Sequence, residues 1–379
     1  MDDNIQSSAV AAHAISRGTP NRIVLVLQGG GALGAYQCGV YEALHEAGLR
    51  PDWVIGTSIG AINASLIAGT APEHRLDRLQ AFWSRVGYGA GARLVGSLPF
   101  LGSQMAMCMT MAGGLDAFFR PNLAAFASAN WPLGADRAGY YSTEPLRDTL
   151  SELVDFDIIN RGTCRLTVGA ANVRTARMHY FDSRDMPFDV RHVMASGALP
   201  PAFPPVRIGT ELFWDGGILS NTPVEAVFDD APRRSALVFV VHIWNPDGPE
   251  PQSIWDVMHR QKDVQYSSRA HTHIERQRQL HRMRHIIAEL TARLTPEERE
   301  KPEAKEMGGY GCLTQMHVVR LLAPKLEGES YLKDIDFSPV GIQSRWQAGY
   351  ANAREMVARA PWTAASNPLE GLVLHEASA

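Results

Sequence analysis

Residues 22–69 read RIVLVLQGGGALGAYQCGVYEALHEAGLRPDWVIGTSIGAINASLIAG, and they divide into strand, glycine loop, helix, strand, sharp turn and helix. Residues 22–27 form an apolar, β-branched run with no polar break after Arg22. That is the pattern of a parallel strand covered on both faces. Gly29, Gly30 and Gly31 follow at once. Without Cβ atoms they can turn consecutive N–H groups toward one point and make an anion-binding concavity. Val40, Ala43, Leu44 and Ala47 then recur at helical spacing, and Gly48 stands where a left-handed C-terminal cap belongs. A second strand over 52–55 runs into Gly56-Thr57-Ser58-Ile59-Gly60.

That pentapeptide is a G-x-S-x-G sequence. Gly56 and Gly60 let a strand turn sharply into a helix and leave Ser58 at a strained, outward-pointing apex. The helix N-terminus near Ile59 favours a developing negative charge. With the glycine loop on the neighbouring strand end, the pair supplies a nucleophile and an oxyanion hole, the minimum equipment for acyl transfer. Two other readings compete. Ser58 as a plain helix N-cap makes the glycines packing devices. Gly29, Gly31 and Gly34 also spell the G-x-G-x-x-G of a dinucleotide site. That site wants an acidic residue at the end of the second strand, and here Asp52 stands at its start, so the cofactor reading is set aside.

These blocks resemble the patatin-like phospholipase family of serine acyl hydrolases. Gly29-Gly30-Gly31-Ala32-Leu33-Gly34 matches the family's oxyanion loop, and Gly56-Thr57-Ser58-Ile59-Gly60 its nucleophile elbow. Asp215-Gly216-Gly217 matches its Asp-Gly-Gly, and residues 195–206 (ASGALPPAFPPV) match the proline-rich block before it. The resemblance spans roughly residues 22–227. It implies an α/β three-layer sandwich with a mostly parallel sheet and ester hydrolysis of lipids without metal or cofactor. It also implies that Asp215 pairs directly with Ser58, with an oxyanion hole from Gly29, Gly30, Gly31 and Ile59. The chain departs from the family at Gln28, where many members have Asp, and at Leu33, where many have Arg or Lys. The loop's donors are then its backbone N–H groups alone. Two alternatives stay open at this stage. One is an esterase in which His192 or His242 completes a triad with serine, and the other is a membrane-associated scaffold without turnover.

The remaining sequence bounds these readings. With 379 residues, 45% hydrophobic and 20% charged, the chain can bury an α/β core plus an extension. A net charge of -4 gives no electrostatic case for nucleic acid. Cys38, Cys108, Cys164 and Cys312 form no C-x-x-C pair and suggest reduced thiols in a cytoplasmic protein. Residues 1–21 read as a flexible tail without signal-peptide pattern, and no apolar run is long enough to span a membrane. Residues 87–131 are rich in glycine, alanine and methionine, with Met105, Met107, Met109 and Met111 alternating. They suit a lid, an acyl-pocket lining or a lipid contact, or else a loosely patterned core insertion. Thr143 is expected to cap a helix running to Leu153, and a strand ending at Asp215 to bring that carboxylate to the rim that carries Ser58.

Beyond the hydrolase region, 22–245, residues 246–360 read as a mainly helical extension and 361–379 as a loose tail. Residues 253–294 carry eight Lys/Arg against four Asp/Glu. That suits a surface for anionic lipid or a partner helix, or simply a solvated face. His271, His273, His281 and His285 lack a completing ligand for a metal and read as surface histidines. The expected partners are a lipid or acyl ester and, peripherally, a membrane.

Overall fold

The computed structural model describes residues 22–88, 102–326, 329, 332–365, 367 and 369–376. The apolar run becomes β1 (Ile23–Leu27), which pairs in parallel with β2 (Trp53–Gly56) on one side and β9 (Ala236–His242) on the other. Alternate side chains of β1 serve two cores. Leu25 and Leu27 join one apolar cluster, while Val24 and Val26 join a second on the opposite face. This is why the strand shows no polar alternation.

The minor strands β3 (Arg120–Pro121) and β4 (Tyr141–Ser142) form a separate antiparallel pair. In the main sheet, β5 (Arg165–Asn172) continues in parallel beyond β2. β6 (Met178–Asp182), β7 (Val206–Ile208) and β8 (Glu211–Asp215) close that edge in antiparallel fashion. On the other side, β10 (Met316–Leu322) and β11 (Leu372–Glu376) extend the sheet in parallel past β9. The strand order is β11-β10-β9-β1-β2-β5-β8-β7, with β6 also on β5.

Helices cover both faces. On the first lie α1 (Ala35–Glu46), α2 (Ile59–Ala68) and α4 (Val190–Ser196), while α3 (Gly102–Gly113) lies beside β3. α5 (Ile254–Arg293) crosses the second, burying Ile274 in the cluster that holds Val227 and Phe228. The short α6 (Pro302–Gly308) packs near its C-terminal end. α7 (Pro339–Arg359) lies on α1, and the two backbones approach so closely that a Cβ on Gly39 would meet the Trp346 carbonyl. Trp346 donates to Glu42, and the Tyr350 hydroxyl donates to Glu46 at 2.7 Å. The result is the three-layer α/β architecture with a mostly parallel central sheet.

Several expectations change. Residues 246–360 are mainly helical but also supply β10 to the main sheet, and residues 372–376, expected to lie in a loose tail, form the edge strand β11. The short apolar run 372–374 is enough for an edge strand when β10 is already in place to pair with it. His281 and His285 are buried, not surface groups: His285 Nε2 lies 2.9 Å from the Thr314 carbonyl, and His281 faces Phe228. Burial pushes His281 down to about 4, so it stays neutral. Thr143 precedes its helix without a side-chain capping bond. Ser338 does cap α7, accepting from the Gly341 N–H at 3.0 Å. The tail over 1–21 lies outside the described residues.

Candidate active site

The elbow carries the strain its sequence implies. Ser58 has φ 56° and ψ −125°, a left-handed region costly for a residue with a Cβ, and α2 begins at the next residue. The turn closes only because its neighbours lack side chains. A Cβ on Gly56 would sit 2.2 Å from the Gly60 carbonyl oxygen, and one on Gly60 would sit 2.3 Å from that of Leu27. A brace from α4 fixes the apex. The Ser58 N–H points at both the Ser196 carbonyl, 3.2 Å, and the Ser196 Oγ, 3.1 Å, while that hydroxyl donates to the Gly169 carbonyl at 2.6 Å.

Asp215 reaches Ser58 from an unexpected direction. β8 runs antiparallel to β5 and pairs through its last three residues, with Asp215 opposite Ala170. The carboxylate therefore descends from the carboxyl rim to the level of the elbow. Asp215 is 2% exposed. One oxygen accepts from the Gly217 N–H at 2.7 Å, and the Ser58 hydroxyl lies close enough to help hold its charge. Burial outweighs both and pushes the carboxyl up from 3.8 to about 7.

The glycine loop is held by residues from two distant segments. The Gly29 carbonyl accepts from Asn221 Nδ2 at 3.0 Å and from Trp244 Nε1 at 2.8 Å. Those two bonds fix the Gly29–Gly30 peptide plane, and with it the direction of the Gly30 N–H. The Gly29 N–H is itself spent on the Asn221 carbonyl at 3.1 Å, so Gly29 anchors the loop and is not a donor to a substrate. The N–H groups of Gly30, Gly31 and Ile59 have no backbone acceptor among the described residues. Gln28 is fully buried: its Oε1 accepts from the N–H groups of Ile243 and Trp244 at 2.6 and 3.0 Å. Its Nε2 donates to Thr222 Oγ1 at 2.7 Å. An amide both donates and accepts there, which a carboxylate cannot do. Leu33 is buried in the first core.

Ser58, Asp215 and the loop open into one cavity of about 240 Å³. Its wall is largely apolar, with Ile62, Met111, Phe118, Phe119, Phe203 and Phe337 among its members. No histidine, lysine or arginine is among the described residues lining it. His192 Nδ1 is engaged in the N-terminal cap of α4 with Asp189, and His242 is buried elsewhere and pushed down to about 3. The methionine-rich region contributes Thr110 and Met111 to the wall, and Met109 and Met111 are both exposed. The side chains of Met105 and Met107 lie outside the described residues.

Sequence reasoning missed Asn221, Trp244, Tyr266 and the strap at Asp334 and Ile335, which all line the cavity. None sits in a motif. Tyr266 comes from α5 and the others from connections that only the completed sheet brings to the site.

A family model described as patatin-like phospholipase matches residues 25–228, more than half of the chain, and one described as patatin phospholipase matches 264–369. The chain is 29% identical over 244 residues to a cGAMP-activated phospholipase of Pseudomonas aeruginosa, covering 60% of this chain and 63% of that one. It is 26% identical over 249 residues to lysophospholipase nte1 of Aspergillus terreus, covering 64% of this chain but only 13% of that protein. Human GIVD cytosolic phospholipase A2 superposes with a TM-score of 0.42 at 9% identity, over 96% of this chain and 64% of that one. The match over 25–228 takes in the glycine loop, the elbow and the Asp-Gly-Gly turn together, and on that ground the chain belongs to the patatin-like phospholipase family.

Proposed function

We propose that this chain hydrolyses acyl esters of lipids, with Ser58 as nucleophile and Asp215 as its only side-chain base. The observation that carries the reading is a strained serine facing a buried carboxylate at the end of an apolar cavity. In the first half-reaction Ser58 Oγ attacks the ester carbonyl carbon and Asp215 takes the serine proton. The oxyanion forms against the N–H groups of Gly30, Gly31 and Ile59, each worth ~3 kcal/mol in the transition state. Collapse breaks the ester bond, and the departing alcohol takes the proton back from Asp215. A water then gives its proton to Asp215 and attacks the acyl-serine, and collapse releases a fatty acid as Ser58 Oγ takes that proton back from Asp215.

The lining supports recognition through the acyl chain, since no cation among the described residues waits for a phosphate. Met109 and Met111, with the exposed Leu123, Phe126 and Trp131 nearby in sequence, suit a lid that contacts a lipid surface at the cavity mouth. No helix among the described residues is long and apolar enough to cross a membrane, so contact of this kind is peripheral.

The test offers phosphatidylcholine vesicles, lysophospholipid micelles and a soluble short-chain ester, with released fatty acid measured by mass spectrometry. Lipid hydrolysis by the parent, absent in Ser58→Ala, is the expected outcome. Hydrolysis of the soluble ester alone would reduce the function to that of a general esterase. Replacing Met109 and Met111 with serine should lower lipid turnover more than soluble-ester turnover, and equal loss on both would remove the lid.

A further inference from the structure

The C-terminal half of α5 carries a feature that ester hydrolysis does not use. Leu280, Met283, Ile287, Leu290 and Leu294 follow one another at intervals of 3, 4, 3 and 4 residues, the spacing of a coiled-coil seam. The buried side of the helix is elsewhere, at Ile274, His281 and His285. Along the seam Met283 is 60% and Leu290 57% exposed. Beside it, Met307, Tyr310 and Leu313 are also exposed and widen the apolar strip. Single exposed apolar residues need no explanation, but a contiguous strip at heptad spacing does.

Its position separates two kinds of occupant. α5 begins over the cavity, where Tyr266 lines the wall and Lys262 binds Asp334 at 2.7 Å. It then descends past Thr314 and Gly371, which lie just before the amino ends of β10 and β11. The seam is thus at the end of the sheet opposite Ser58, and a lipid surface covering it would hold the cavity mouth away from lipid. A helix is the better fit.

Charge identifies which helix. The seam is flanked on its N-terminal side by Arg276 and Arg278, and on its C-terminal side by a net acidic turn in which Glu297, Glu298, Glu300 and Glu303 outnumber Arg299 and Lys301. A two-fold axis near Ile287 sets two such helices antiparallel, Leu280 against Leu294 and Arg276 against the acidic turn that follows the other helix. Such a surface is complementary to itself.

We infer that this chain forms a homodimer through the C-terminal halves of two antiparallel α5 helices. The packed seam is only about two heptads long, so Met307, Tyr310 and Leu313 of both copies add apolar area at its sides, and association in the micromolar range is expected.

Sedimentation equilibrium of the full chain between 1 and 100 μM tests this. The expected species is twice the 41.6 kDa chain mass. Met283→Glu combined with Leu290→Glu should shift it to the single chain mass with an unchanged circular dichroism spectrum and unchanged hydrolysis of a soluble ester. Arg276→Glu should weaken association about tenfold, and adding Glu297→Arg should restore it. A parent that stays monomeric at 100 μM, or a double-glutamate variant that stays dimeric, overturns the proposal. Failure of the charge swap to restore association overturns the antiparallel register, and loss of vesicle binding by the double-glutamate variant of a monomeric parent reassigns the face to lipid.

Discussion

At the amino ends of the strands, Arg165 grips Asp182 through Nε and Nη2 at 2.9 and 2.7 Å and reaches Asp230 through Nη1 at 2.9 Å. Arg22 and Arg184 also donate to Asp230, at 3.0 and 2.8 Å, and the guanidinium groups of Arg22 and Arg165 both lie against the Trp53 ring. At the carboxyl ends, Asp215 is more deeply buried than Asp230 and, among the described residues, has only the Gly217 N–H and the Ser58 hydroxyl. Burial raises both Asp230 and Asp215. At Asp230 the arginine bonds outweigh it and hold the carboxyl below its usual range, whereas at Asp215 burial prevails. One end of the sheet spends its charges on cohesion. The other keeps a carboxylate with no counter-ion among the described residues, and such a group holds a proton near neutral pH and can exchange it with a serine.

Removing the lone acid is the largest break in this contrast. Asp215→Asn should lower turnover of a soluble ester about 10³-fold, the range for loss of a general base. His192→Ala and His242→Ala should stay within about twofold of the parent in the same assay. An inactive histidine variant would move the base to that ring.

The paired end should respond in stability alone. Arg165→Met leaves Asp182 and Asp230 without their shared cation, and breaking such a partly buried network costs about 3 kcal/mol. Urea unfolding should show that loss, while activity per folded molecule stays at the parent level. An unchanged midpoint would mean that the network adds no net stability.

A smaller effect probes how the reactive end is held. Asn221→Ala and Trp244→Phe each free one bond on the Gly29 carbonyl. The Gly30 N–H should then wander from its aim, lowering kcat about tenfold with KM nearly unchanged, a fraction of the ~3 kcal/mol of a whole donor. A change confined to KM would place these residues in substrate binding instead.

A last probe is thermodynamic. Folded Asp215 keeps its proton up to about 7, whereas its ordinary value is 3.8. Between those pH values the folded state binds a proton that the unfolded state has released, so stability falls as pH rises, and the whole penalty is present above 7. Asp215→Asn carries no such penalty. Its Tm should exceed the parent's at pH 8 by a few degrees, and the gap should close toward pH 4.

The two ends also differ in how far the sequence reveals them. The glycine loop, the elbow and the Asp-Gly-Gly turn are legible because each needs particular residues at fixed local spacing: glycines where a Cβ would strike the backbone, and a serine at the apex. The central strands are legible for a similar reason, since burial on both faces leaves an unbroken apolar run. The amino-end network is not legible, because Arg22, Arg165, Asp182 and Asp230 meet only through the sheet. The same holds for Asn221 and Trp244, whose bonds to Gly29 span 192 and 215 residues. The antiparallel course of β8 is hidden because a short strand ending in Asp-Gly-Gly reads the same in either direction. The edge strand β11 is hidden because five residues near the C-terminus carry little pattern of their own.

The central claim is that Ser58 is activated by Asp215 without a histidine. It is tested most directly by the rate at which a fluorophosphonate modifies the protein as a function of pH, with the adduct mapped by mass spectrometry. The account predicts a single adduct on Ser58 whose rate rises through one ionisation near pH 7 and is nearly abolished in Asp215→Asn. Labelling of the Asp215→Asn variant at the parent rate, or an adduct on another serine, would contradict it.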